Sequence, residues 1–314
     1  MNKVYNVVQK RKLYYGISLG IILLAVLISL IRGVEVSIEF KGGTMLSYSY
    51  TGTLSSSEVA AAAAESVGQS VNAKEGENFS DGTKYVELSF SSNEGLTADK
   101  QHNLTTALQT KFPGNNIELL SSNDVNPSIG GEFFKKCLVA VSFAAVVLII
   151  YIAFRFKKIS GWSAGVTAVV ALIHDCVIVY ATFIIFNIPI NANFMAVLMT
   201  ILGYSINDTI VIYDRIRENK KLMGAKTPLI ELVNTSISQS LTRSFNTTIT
   251  TVISMIVVCI VALVFGVTSI ISFAFPLIIG MISGTYSSIC IACPLWIDWQ
   301  NSKKTADYAG KKKK

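Results

Sequence analysis

Charge is scarce in this chain. Lys, Arg, Asp and Glu make up 15% of its 314 residues, where a soluble domain carries about a quarter. Hydrophobic residues reach 51% and the mean hydropathy is +0.50. The excess is gathered into runs long enough to cross a bilayer, about 20 residues each, so a purely soluble protein is excluded. Cysteine is missing from the polar region 33–135. All five, Cys137, Cys176, Cys259, Cys290 and Cys293, fall in or beside apolar runs, so no disulfide framework holds the polar region. Cys290-x-x-Cys293 has redox or metal spacing, but an apolar helix disfavours the thiolate that either role needs. No Gly-rich phosphate loop with its lysine is present, which excludes ATP as a direct energy source for this chain. No small-residue cleavage site follows the first apolar run, so it reads as a retained span rather than a signal peptide. Asp175 and Asp208 lack the flanking Gly-Asp type motifs of an intramembrane protease, and His174 has no evident nucleophile. The chain is therefore read as neither an enzyme nor a metal or cofactor protein.

Six spans are predicted: about 13–31, 137–154, 162–186, 193–213, one ending near Phe265, and about 271–296. Lys and Arg cluster at 3–12, 155–158, 215–226 and 303–314, on one side of the membrane if the spans alternate. That is the positive-inside pattern. It puts both termini in the cytoplasm and region 33–135 outside, and it accounts for a net charge of +7 without nucleic acid. The predicted division is 1–32 (N-terminus and first span), 33–135 (extracytoplasmic domain), 136–299 (spans two to six, with a cytoplasmic loop at 214–240) and 300–314 (a basic tail). Lys311-Lys312-Lys313-Lys314 reads as a solvated, disordered tail, with contact to anionic membrane lipid as the alternative. Trp296 and Trp299 are expected in an interfacial aromatic belt. Gly16-x-x-x-Gly20, Gly161-x-x-x-Gly165 and Gly280-x-x-x-Gly284 have the spacing that lets helices approach closely.

The polar region opens on two strand-like runs about Gly42-Gly43, which suggests a turn or bulge there. A strand at 45–50 precedes Ser55-x-x-Glu58, a candidate capping box before an alanine-rich helix. Strands near 70–79 and 83–90 follow, then a helix that Thr97 can cap, a Pro113-Gly114 break and a last strand at 117–120. The order βαββαβ suits a small ferredoxin-like α+β sandwich.

Intramembrane ionisable residues are functional by default. Asp208 lies inside the apolar part of the fourth span, roughly 22 Å from its outer end at 1.5 Å per residue. His174 and Asp175 lie at comparable depth in the third, so the groups can face one another. Proton relays use such His and Asp chains; interhelical hydrogen bonding is the plainer alternative. Asn207, Thr209, Thr247, Thr248 and Thr251 either complete a polar seam or bond to backbone carbonyls. Arg243 is the evident counter-charge for Asp208. Burial and a guanidinium act in opposite senses on a carboxyl's proton affinity, so the pair can turn a conformational cycle into an ion cycle. By the same ruler Arg243 sits roughly 12 Å deeper toward the cytoplasm than Asp208, so the span boundaries are off, the pair forms in only one state, or Arg243 snorkels to the headgroups.

Phe40-Lys41-Gly42-Gly43-Thr44, Ala171-Leu172-Ile173-His174-Asp175, Gly203-Tyr204-Ser205-Ile206-Asn207-Asp208, and Asp214-Arg215-Ile216-Arg217-Glu218-Asn219 occur in that order, followed by Leu241-Thr242-Arg243-Ser244. Over nearly the whole chain this resembles the SecF family of bacterial protein-export subunits. Two departures are Glu39, where the family usually has Asp before Phe, and the body of the polar region, which is poorly matched between its two ends. The resemblance implies a resistance-nodulation-division (RND) type fold of six transmembrane helices in the bacterial inner membrane. It implies a SecD partner, association with the SecYEG translocon, and use of a proton or sodium motive force in late export of unfolded polypeptide. It makes Asp208 and Arg243 the coupling pair. The competing reading is half of an RND-type exporter of small molecules or lipids, for which about 100 external residues is small.

Overall fold

The computed structural model describes residues 4–77, 82–90, 96–125, 127–224, 226–265 and 267–311. Six helical segments are long and apolar enough to cross a membrane. They are α1 (Arg11–Arg32), α5 (Pro127–Arg155), α6 (Gly161–Ile185), α7 (Ala192–Leu222), α8 (Leu229–Val264), and a final pair, α9 (Thr268–Ser287) and α10 (Cys293–Lys311), joined by a single π-turn at Ser288–Ala292. α1, α5, α7 and the α9–α10 pair run past the apolar runs that announce them, whereas α6 matches its own to within a residue. α7 continues without a break through the charged 214–222 segment, and α8 begins right after Pro228. Backbone hydrogen bonding does not stop where hydrophobicity does. α10 reaches Lys311 as helix where the sequence predicts a disordered tail; Lys312, Lys313 and Lys314 lie outside the described residues.

The spans differ in how much of themselves they bury. In α6, α7 and the α9 segment more than half of the apolar window is buried, but in α1, α5 and α8 only 11%. α9 packs against α6, α7 and α8 and forms the hub of the bundle. Glycine makes this possible. A Cβ at Gly284 would come within 2.9 Å of Ser205 Cβ, and one at Gly280 within 2.6 Å of Ile201. Gly161 and Gly165 likewise admit the α5 backbone, whereas a Cβ at Gly16 or Gly20 would meet nothing within 4 Å among the described residues. Two of the three small-residue motifs are thus packing devices within this chain. Trp296, expected at an interface, is 3% exposed and lies tilted against Tyr213 in the core. α10 continues the bundle beyond the π-turn and carries the indole inward, while Trp299 is exposed.

Between α1 and α5 lies the α+β domain: a one-turn helix α2 (Ile38–Lys41), β1 (Gly43–Tyr50), α3 (Ser56–Val67), β2 (Val71–Glu77), β3 (Lys84–Phe90), α4 (Ala98–Lys111) and β4 (Glu118–Val125). The antiparallel sheet has the order β2-β3-β1-β4, the ferredoxin-like arrangement. Period-two alternation puts Leu46, Tyr48, Tyr50, Val86, Leu88 and Phe90 on one face, under Val59, Ala63, Leu104 and Leu108 of α3 and α4. Residues 78–79 of the predicted second strand, and Asn126 in the return to the membrane, lie outside the described residues.

Three local expectations fail. Thr97 takes the N-cap position of α4, but its side chain makes no cap hydrogen bond. The run before the glycine pair is not a strand. Ser37 accepts from Glu39 N and starts α2, while Val36 makes only a single bridge to Ile190. The Ser55–Glu58 capping box does not form. The Ser55 hydroxyl meets Ser57, and Glu75, reaching over from β2, takes the Ser56 amide. A tertiary carboxylate has displaced the local one. Gly43, by contrast, needs to be glycine: φ is +135° and a Cβ would overlap the Phe90 carbonyl of the neighbouring strand.

Candidate functional site

The intramembrane polar residues gather round α9. Thr285 Oγ1 donates to Asp208 Oδ2 at 3.0 Å. Behind it runs a line of hydroxyls: Tyr204 donates to Thr248 at 3.3 Å, and Thr248 meets Thr285 at 2.5 Å. With Thr285 committed to the carboxylate, every hydroxyl in the line points toward Asp208. The side chain of Asp208 is buried.

Asp175 is more enclosed still. It is 0% exposed and accepts from Ser205 Oγ at 2.7 Å, Ser283 Oγ at 2.6 Å and Ser287 Oγ at 2.6 Å, with His174 Nδ1 at 3.2 Å. Ser283 and Ser287 are four apart and share one face of α9; Thr285, between them, points the other way. One helix therefore supplies hydroxyls to both carboxylates from opposite sides, and Asp175 and Asp208 do not face one another as their matching depth suggests. Asp175 ties α6, α7 and α9 together. His174 Nε2 is buried with no hydrogen-bond partner among the described residues, and its ring lies 5.9 Å from that of Tyr286.

Arg243 does not pair with Asp208. Its side chain is exposed on the outer face of α8, and among the described residues no ion pair joins the two. The adjoining Ser244 side chain is buried. Asn207, Gly203 and Thr200 form an exposed stripe along α7, and Arg243, Asn246 and Thr250 one along α8. Thr247 and Thr251 bond to carbonyls four residues back, and Thr209 meets Ser288 at 2.8 Å. Serines 205, 283 and 287 and Thr285 are site residues that the sequence reading passes over. Their signal is the run of hydroxyls at 283, 285, 287 and 288 in an otherwise apolar span. The π-turn that follows is a feature often found at functional sites.

The charged block at the end of α7 is a bracket rather than an ion site. Asp214 pairs with Arg155 of α5 at 3.2 Å and with Arg217 at 2.6 Å; Arg215 pairs with Glu218 at 2.6 Å and donates to Gln239 of α8. Buried Asn219 donates to Ser236 at 2.9 Å and to Gln239 at 2.8 Å. At the opposite end Glu39 accepts from the Ala192 amide at 2.6 Å, placing a carboxylate on the positive end of α7. The α2 segment next to Gly42 and Gly43 is thereby joined to the helix that carries Asp208. Among the described residues no group of three or more His, Cys, Asp or Glu has metal-binding geometry.

Residues 104–302 match the family described as "Protein export membrane protein SecD/SecF, C-terminal". Protein translocase subunit SecF of Anaerolinea thermophila is 32% identical, over 84% of this chain and 84% of its own. The same subunit of Rhodothermus marinus is 33% identical over 84% and 83%. Among solved structures, SecDF of Thermus thermophilus, a translocon-associated membrane protein, superposes with a TM-score of 0.80 at 28% identity, covering 95% of this chain and 39% of that one. SecDF in its super-membrane-facing form gives 0.68, covering 99% and 40%. The chain thus spans about two fifths of the SecDF chains it matches. On the SecF relatives, the family match and the shared architecture, the chain belongs to the SecF branch of the SecD/SecF family of protein-export membrane proteins.

Proposed function

We propose that this chain is the SecF-type half of an auxiliary Sec translocase unit, driven by a proton or sodium motive force and working late in the export of unfolded polypeptide across the bacterial inner membrane. The observation that carries this reading is the pairing of a buried carboxylate, Asp208, with an exposed polar surface beside it. Thr200, Asn207, Arg243 and Asn246 stand exposed on helices α7 and α8, the first two in the fourth span and the last two toward the cytoplasmic end of α8. Polar side chains there are costly unless protein or water covers them. A second helical half fits this need, and the SecDF chains matched are long enough to contain one. SecD is the proposed partner, SecYEG the proposed site of action. The distribution of Lys and Arg supports cytoplasmic termini and an external α+β domain.

In this reading Asp208 carries the ion. Its proton affinity depends on how near Arg243 stands, so helix movement against the partner half loads and unloads it. The membrane potential contributes about 2.3 kcal/mol per charge per 100 mV, enough to bias states a few kcal/mol apart. The Glu39 contact to α7 offers a route by which the external domain moves with the coupling helix. Asp208→Asn keeps the shape and removes the titration. We expect assembly with the partner to persist and the ion-driven part of export to vanish. Wild-type export by this variant in membranes holding a full motive force refutes the mechanism.

A further inference from the structure

Beyond ion coupling and export, we propose that the groove between the N-terminal segment, α8 and α9 is a binding site for one anionic glycerophospholipid. The cavity measures about 1340 Å³, larger than the roughly 300–1,000 Å³ of ordinary small-molecule sites. Phe245, Ile249 and Val252 of α8 face Ile282 and Ile289 of α9 across it. The lining is mostly apolar, with Ser238, Thr242 and Asn246 along α8 as well, and the flank of α8 that bounds it is largely exposed. Hydrocarbon is the solvent at hand to fill it.

The depth and the two ends narrow the occupant. The lining on α8 runs from Ser238 to Ile253, roughly 22 Å of helix at 1.5 Å per residue, short of the ~30 Å hydrocarbon core. At its N-terminal end the groove is closed by residues 4–10. Tyr5 N donates to Ser238 Oγ at 2.8 Å, Val8 N to Asn234 Oδ1 at 3.1 Å, and Asn234 Nδ2 to Gln9 Oε1 at 2.8 Å. This strap closes that end of the groove. An acyl chain enters from the side and stops in mid-bilayer, so it fits. At the strap, Lys10 lines the rim beside Asn6. The neighbouring Arg11 is already paired with Asp298 at 2.9 Å, but among the described residues no carboxylate pairs with the Lys10 ammonium. A headgroup phosphate supplies the missing anion at the level where headgroups lie. The inner wall includes Thr248 and Thr285, the hydroxyls that lead to Asp208, so an occupied groove also seals that line from the bilayer.

The test uses the full chain in detergent, titrated with dioleoyl phosphatidylglycerol or dioleoyl phosphatidylcholine and followed by native mass spectrometry. We expect one retained phosphatidylglycerol per chain, held about fivefold more tightly than phosphatidylcholine, as one interfacial lysine implies. Lys10→Gln should erase that preference. Ile249→Trp with Ile282→Trp should fill the groove and weaken both lipids at least tenfold. A benzophenone side chain at 249 in native membranes should tag lipid. Equal retention of the two lipids by the wild type, an unchanged preference in Lys10→Gln, or a benzophenone adduct to protein in place of lipid overturns the proposal. Lys10 lies on the rim, so its variant reads the site even where the tryptophan pair fails to fold.

Discussion

Removing Asp175 separates two roles that the sequence leaves joined. Asp175→Ala takes the acceptor from three serine hydroxyls drawn from α7 and α9. Interhelical hydrogen bonds in membranes average about 0.6 kcal/mol, which sets a lower bound near 2 kcal/mol for three. Bonds to a charged acceptor are worth about 1.5 kcal/mol at the low end, which raises the sum to roughly 4–5 kcal/mol. Serine can turn back to its own helix, as Ser287 already does toward the Gly284 carbonyl at 3.2 Å, so the expected loss is about 2–4 kcal/mol. Asp175→Asn should cost less, because an amide oxygen still accepts two of the three bonds. Thermal or steric-trap unfolding of the full chain in bicelles measures both. Export under a motive force, normalised to folded protein, supplies the second axis. A positioning residue loses stability in the order Ala, Asn, wild type, with export following the amount of folded protein. If Asp175→Asn keeps wild-type stability but loses ion-driven export as fully as Asp208→Asn, Asp175 is an ion carrier and this reasoning fails.

The external domain offers a pH test. Glu87 of β3 has its carboxyl pushed above the usual range by burial and by the nearby Glu35, with Lys74 opposing them. A raised folded-state value means the native state binds the proton more tightly, so stability should fall as pH rises from about 4.5 through that value. Urea unfolding of residues 35–125 between pH 4 and 8 should show the slope, and Glu87→Gln should flatten it; an unchanged slope in the variant refutes the assignment. For topology, a membrane-impermeant maleimide added from outside should label a cysteine placed at Lys111 and spare one placed at Lys221. The reverse pattern inverts the orientation drawn from the basic clusters.

Much of this protein is local in origin and so readable without a structure. Apolar runs longer than a bilayer is thick specify membrane helices because backbone polar groups have no other partner in lipid. Alternation at 45–50 and 84–90, punctuated by Pro113-Gly114, specifies the sheet domain for a similarly short-range reason. A carboxylate at 208 or 175 in such a run is conspicuous by its cost. Chain order did not determine which hydroxyl meets which carboxylate. That follows from the register of α9 against α6 and α7, set where Gly280 and Gly284 let backbones approach and where a π-turn resets the helix. So Ser283, Thr285 and Ser287 became site residues while Asn207 and Arg243 stayed on an outer face. The same holds for Glu75 replacing Glu58 at a helix cap and for Trp296 turning inward. Short-range patterns fix which elements form, since each residue's own backbone and solvent decide them. Contacts between elements depend on packing geometry accumulated over the whole chain, and only the tertiary structure holds that.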